Sequence, residues 1–314
     1  MVVLPRTPAL AGVLLLGALL FGCAAPQTRA LLDNAPPGLP PRVELTATPF
    51  YPQEIHQCGP AALATALASA DVPLSADVLA AQVYVPGREG ALQPEMLAAV
   101  RRNGLVAYRL APRIDDVLAE VAAGTPVVVL QNLSFAFAPM WHYAVVIGYD
   151  VSREEIVLRS GVTKRLTLSF SQFERTWARS DYWAILALPA ERLPATARED
   201  DFVAAIVALE RSSTPAARRA YLTALDRWPQ NLVARLGQGN TAYAMNDIAE
   251  AEAAYRRAVA DHPDAADAWN NLAQALSDQD RRADAITAAE RALTIGGPRR
   301  AVYETTLQDV SRKR

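Results

Sequence analysis

FYPQEIHQCGPAALATALASA, residues 50–70, holds Cys58, one of two cysteines in a chain of 314 residues; the other is Cys23. After Gly59-Pro60 the run continues with Ala62, Leu63, Ala66 and Leu67 on one face, the 3.6-residue spacing of a helix. Proline suits a first helical turn, where no N–H is needed, so the thiol is expected at a helix N-terminus. Unpaired N–H groups and the macrodipole there favour an anion, hence a thiolate. Gly59 leaves room for another backbone to come close. Cys58 could therefore be a nucleophile, a buried filler or half of a bridge.

The bridge depends on Cys23. Arg6 precedes the apolar run ALAGVLLLGALLF, residues 9–21, which falls short of the roughly 20 residues a spanning helix needs. It fits the apolar region of a secretory signal over residues 1–22, with a short membrane anchor as the alternative. Leu20-Phe21-Gly22-Cys23 resembles the lipobox of bacterial lipoproteins, although Phe21 is larger than the residue usual at its position. The resemblance implies cleavage before Cys23, lipidation of Cys23 and tethering to a membrane. Ala24 after it implies the outer membrane, facing the periplasm, in a host with two membranes. Cys58 is then a free thiol in an oxidising compartment.

A chain of this length accommodates about two domains, and 51% hydrophobic residues place it among globular proteins. A net charge of −2 without a Lys/Arg cluster argues against a nucleic-acid partner. Residues 23–42, rich in Pro and small residues, read as a semi-extended tether. Over 43–190 the texture is mixed. Helical spacing is expected after Cys58, over 74–83 behind Ser75, over 87–105 ending at Asn103-Gly104, and over 114–124 ending at Gly124. TPVVVLQNL (125–133) reads as a strand buried on both faces. WHYAVVIGYD (141–150) and EEIVLRSG (154–161) read as a hairpin, joined by YWAILAL (182–188). Helices followed by an antiparallel sheet make an α+β layout.

From residue 198 onward the chain is alanine-rich and helical. Ala217, Ala251 and Ala285 recur every 34 residues, as do Ala224, Ala258 and Ala292; Tyr221, Tyr255 and Ala289 share the register. Small residues at two contact positions, an aromatic between them and Pro229 and Pro263 as terminators resemble the tetratricopeptide repeat. The resemblance implies an all-α solenoid over 198–314, with copies at about 198–231, 232–265 and 266–299 and a closing helix. Such arrays present concave surfaces to a protein partner.

A nucleophilic thiol needs a base within hydrogen-bond reach, and the chain has three histidines. His262 precedes a repeat terminator and reads as structural. His56 stands two residues before Cys58, where its ring tends to point away. His142 opens an apolar strand, and helix-Cys before strand-His is the order of papain-like thiol enzymes. Gln53, the run Cys58-Gly59-Pro60-Ala61-Ala62-Leu63 and His142-Tyr143-Ala144-Val145-Val146-Ile147-Gly148-Tyr149 together resemble the bacteriocin-processing, double-glycine-peptidase-like type of papain-like cysteine peptidase. The resemblance implies Cys58 as nucleophile, His142 as base and acid, and Gln53 as oxyanion donor beside the Cys58 N–H.

That family orients its histidine with an Asp, and here Ser160-Gly161 stands at the equivalent place. Asp150 lies eight residues beyond His142 on the same strand, roughly 26 Å away at about 3.3 Å per residue. It cannot reach. Ser160, across the hairpin, can accept the other ring N–H, with less stabilisation of imidazolium than a carboxylate gives. No cofactor is expected, since no metal-ligand cluster, P-loop or dinucleotide fingerprint is present. The leading expectation is an envelope-tethered cysteine peptidase acting on a peptide or protein substrate. A scaffold lipoprotein with a pseudoenzyme domain, and an amidase or transpeptidase, are the alternatives.

Overall fold

The computed structural model describes residues 25–52, 57–88 and 90–312; the expected signal segment, Cys23, Gln53 and His56 lie outside the described residues. In chain order the elements are α1 Pro26–Asp33, β1 Arg42–Glu44, α2 Cys58–Ala68, α3 Ala76–Val83, β2 Tyr84–Val85, β3 Gly90–Ala91, α4 Gln93–Arg102 and β4 Val106–Arg109. Next come α5 Ile114–Ala122, β5 Val127–Asn132, β6 Trp141–Asp150, β7 Glu155–Ser160, β8 Thr163–Ser169, α6 Phe170–Ala178 and β9 Ala184–Leu188. Seven helices follow: α7 Glu199–Glu210, α8 Thr214–Arg227, α9 Leu232–Ala244, α10 Ile248–Asp261, α11 Ala266–Ser277, α12 Arg282–Ile295 and α13 Arg300–Arg312. They divide between two compact units, one running to Leu92 and resuming over Leu110–Ile185, the other made of Gln93–Arg109 and everything from Leu186 on.

The first unit is α+β. Strands β9, β5, β6, β7 and β8 follow one another in the sheet, and β1 adds to β6. The pairings of β5 with β9 and β6, of β6 with β7 and of β7 with β8 are all antiparallel. Every residue of β5 is buried, Gln131 and Asn132 included, as its near-continuous apolar run predicts. β6 is the organising strand, flanked by β5 and β7 and crossed at its far end by β1. Gly148 permits that crossing: a Cβ there would stand 2.7 Å from the Val43 carbonyl oxygen. α2 packs on β6 with its alanines and leucines almost wholly buried.

The expectation of a semi-extended tether needs correction over Pro26–Asp33, which forms a docked helix. Ala25 offers no side-chain cap. The buried carboxylate of Glu174 in α6 instead accepts the N–H groups of Gln27 at 2.9 Å and Thr28 at 2.6 Å. Gln27 reciprocates: its Oε1 accepts the Ile114 N–H at 2.7 Å, at the first turn of α5. Leu31 and Thr28, three residues apart, are buried in the contact. Two apolar residues in a short window flanked by prolines are too few for periodicity to register. The helix predicted over 87–105 is also shorter than expected, because the chain first forms the β2–β3 pair.

The second unit carries the repeats as antiparallel helix pairs α7/α8, α9/α10 and α11/α12, closed by α13. The 34-residue register is its core: Ala217, Ala251, Ala285, Ala224, Ala258 and Ala292 are all fully buried. Tyr221 and Tyr255 pack over Gly237 and Gly239, where a Cβ would collide with the rings. His262 caps the end of α10 and bonds the Gln230 carbonyl at 2.6 Å. Among the described residues, no helix is long and apolar enough to cross a membrane.

Candidate active site

Cys58 is the first residue of α2, half-buried and free of any disulfide among the described residues. Gly59 and Pro60 behind it are buried, while Cys58 itself keeps part of its surface open. α2 lies against β6, whose second residue is His142. Burial pushes the phenol of Tyr143, the next residue along β6, well above its ordinary range. Tyr143 also donates its hydroxyl to the Ala91 carbonyl at 3.2 Å, tying β6 to β3.

His142 Nε2 and Ser160 Oγ are 2.8 Å apart. The strand register does not place them face to face. Val145 pairs with Arg159 and Val146 with Leu158, so the residue opposite His142 on that register would be Val162, and Ser160 is the diagonal neighbour. The register shift between Val146 and Gly148 is what makes it so: the Gly148–Val157 register, continued, would set Thr163 opposite His142 and turn Ser160 to the other face. Bulges re-aim side chains beside them. On the other flank Gln131 pairs with His142, and its side-chain amide is held by Thr176 Oγ1 at 2.6 Å.

Burial pushes the His142 imidazole below its ordinary value of 6.5, and Ser160 brings no charge to oppose this. The resting ring therefore favours its neutral form. With Nε2 engaged by the serine, Nδ1 is the nitrogen left for a thiol. Asp150, at the far end of β6, accepts from Ser152 Oγ at 2.6 Å and the Arg153 N–H at 3.1 Å. It is a turn residue, not an orienting acid.

Arg159 is a residue that the sequence reading passed over. It is buried, and its guanidinium donates to the carbonyls of Thr48 at 2.8 Å, Thr46 at 3.3 Å and Lys164 at 2.5 Å. It thereby ties residues 46–48, on the approach to Cys58, to the strand that carries Ser160. The signal was a lone charge inside the apolar run IVLRSG. Gln53, expected at the oxyanion, lies outside the described residues.

Comparison with known proteins agrees with this architecture. Residues 45–185 match the family model described as Peptidase_C39 like family, and residues 236–300 match the Tetratricopeptide repeat. The chain thus carries a Peptidase_C39-like domain followed by tetratricopeptide repeats. No curated protein matches it. Among solved structures it is similar to a candidate C39-like peptidase from Bacillus anthracis, at 21% identity and a TM-score of 0.41, over 47% of this chain and 97% of that one.

Proposed function

We propose that this protein is a cysteine-type peptide hydrolase in which Cys58 is the nucleophile and His142 the general base and acid. The carrying observation is the 2.8 Å contact between His142 Nε2 and Ser160 Oγ, on the strand that α2 packs against. In this reading the thiol proton passes to His142 Nδ1 as sulfur attacks the substrate carbonyl carbon. Ser160 accepts the Nε2–H and keeps the ring turned toward the thiol. The oxyanion is received by the Cys58 N–H and the side-chain amide of Gln53. His142 then protonates the departing amine, leaving a thioester. Water, deprotonated by the same nitrogen, attacks the thioester, and the proton returns to sulfur as the acid leaves.

Burial favours neutral imidazole, and Ser160 brings it no counter-charge. This supports a slow, selective enzyme. Lipid on Cys23 would hold the protein to the envelope, facing the periplasm from the outer membrane, and the repeats would bind a protein partner or the substrate. The lipobox-like run is the support for that placement.

The experiment is capture of a covalent adduct with a peptide carrying an electrophilic carbonyl, read by mass spectrometry. A thioether or thioester on Cys58, absent in His142→Ala, is the expected result. The replacement of the family's Asp by Ser160 favours a second reading, a pseudoenzyme whose repeats do the work. Peptides retained without any Cys58 adduct would select it.

A further inference from the structure

The hairpin between β5 and β6 ends in a tip without a single charge, Leu133-Ser134-Phe135-Ala136-Phe137-Ala138-Pro139-Met140. Phe137 is 86% exposed, Phe135 65%, Met140 61% and the adjoining Trp141 51%. The two phenylalanine rings stack with centroids 5.3 Å apart. This is a built feature rather than a loose loop. Asn132 Oδ1 accepts the N–H groups of Ser134 at 3.0 Å and Met140 at 2.9 Å. Arg179, at the end of α6, donates to the carbonyls of Ser134 at 2.7 Å and Asn132 at 3.2 Å. A fold that holds four large apolar side chains out in water pays for it unless something covers them.

Shape and chemistry choose the occupant. A narrow protruding turn offers no groove in which to seat a peptide, but it can sink into a soft apolar phase. Phenylalanines and a methionine at the apex with a tryptophan at the base match the apolar and interfacial layers of a bilayer. The start of the described chain lies on the same helix. α1 is held through Glu174, five residues before Arg179, which is about 7.5 Å along a helix axis. α1, the first described element, is thus docked on the helix whose end anchors the tip.

We infer that this hairpin tip is a membrane-docking element that inserts Phe135, Phe137 and Met140 into a lipid bilayer with Trp141 at the headgroup level. His142 follows Trp141 directly, so the thiol site then works at the membrane surface, on substrates held there. A lipid on Cys23, as proposed above, would add a second membrane contact, while the exposure of the tip stands without it.

The test uses the purified full chain with phosphatidylcholine vesicles carrying brominated acyl chains, which quench buried tryptophan. Trp141 is the exposed member of five tryptophans; Trp177 and Trp183 are fully or almost fully buried. The expected result is quenching of the fluorescence component that Trp141→Phe removes, falling severalfold in Phe135→Ser/Phe137→Ser. Flotation of the Cys23→Ala chain reports separately on the lipid anchor. If the wild-type chain floats with the vesicles while Trp141 stays unquenched and open to aqueous acrylamide, the inference is overturned and a protein partner owns the tip.

Discussion

Ser160→Asp asks whether the imidazole lacks only a counter-charge. Ser160 Oγ stands 2.8 Å from His142 Nε2, and the residue is 9% exposed. A carboxylate this close to a protonated base raises its pKa by roughly 1–3 units, and one unit corresponds to about 1.36 kcal/mol. Imidazolium at His142 would gain about 1.4 to 4 kcal/mol, reversing the downward push that burial gives it now. The population of the thiolate–imidazolium pair near pH 6 should rise by about 10- to 1000-fold. The assay is the pH profile of Cys58 alkylation by iodoacetamide in a Cys23→Ala background, which leaves one thiol. Labelling of Ser160→Asp should stay fast well below the pH at which the wild type slows. Ser160→Asn, with nearly the same shape and no charge, should follow the wild type, and His142→Ala should abolish the gain. Identical profiles for Ser160→Asp and wild type, with near-UV circular dichroism unchanged, would mean that the imidazole does not face the thiol. The dyad reading would then fall.

Three further expectations concern stability. His142 has a folded-state pKa pushed below the unfolded 6.5 by burial, so between the two values the unfolded chain holds more protons. Stability is present above about 6.5 and is lost as pH falls toward the folded pKa. Urea midpoints at pH 7.5 and 5.5 should differ less in His142→Gln, and an undiminished difference would contradict the burial. Glu174→Ala removes the acceptor for two first-turn N–H groups of α1. Loss of a cap costs about 1 kcal/mol, and hydrogen exchange should accelerate over Pro26–Asp33 while β5 and β6 stay protected. Gly239→Ala drives a methyl into the Tyr255 ring, which cannot swing away while its hydroxyl is held 2.9 Å from Asn240 Oδ1. Overpacking of this kind costs about 1–3 kcal/mol, so the melting temperature of the repeats should drop by several degrees, more than for Gly87→Ala, where open space surrounds the Cβ.

Much of the architecture was legible because it rests on periodicities that a chain cannot hide. The 34-residue register of small and aromatic positions foretold the buried seams of the repeats, since only alanine or glycine lets paired helices approach so closely. The near-continuous apolar run ending in Val127–Asn132 and the hairpin from Trp141 to Ser160 followed from strand patterning and a polar turn. The helix starting at Cys58 followed from Gly-Pro before an apolar face. Other elements escaped. β8 spans an exposed, charged sequence, TKRLTLS, with no clean alternation. α6 opens on a capping box, Ser169 with Gln172, a signal only two residues wide.

The sequence by itself determined which residue types could do chemistry and in what order along the chain: one thiol opening a helix, one histidine opening a strand, one serine where an acid was expected. These are local facts, set by side-chain chemistry and backbone periodicity. Only tertiary structure decided that Ser160, a diagonal rather than an opposite neighbour, meets His142, because a register shift between β6 and β7 puts the two on one face. Only tertiary structure showed that Pro26–Asp33 docks, since its cap comes from a glutamate 146 residues away. Contacts of that kind are settled by how sheet and helices pack, and no window of neighbouring residues contains both partners.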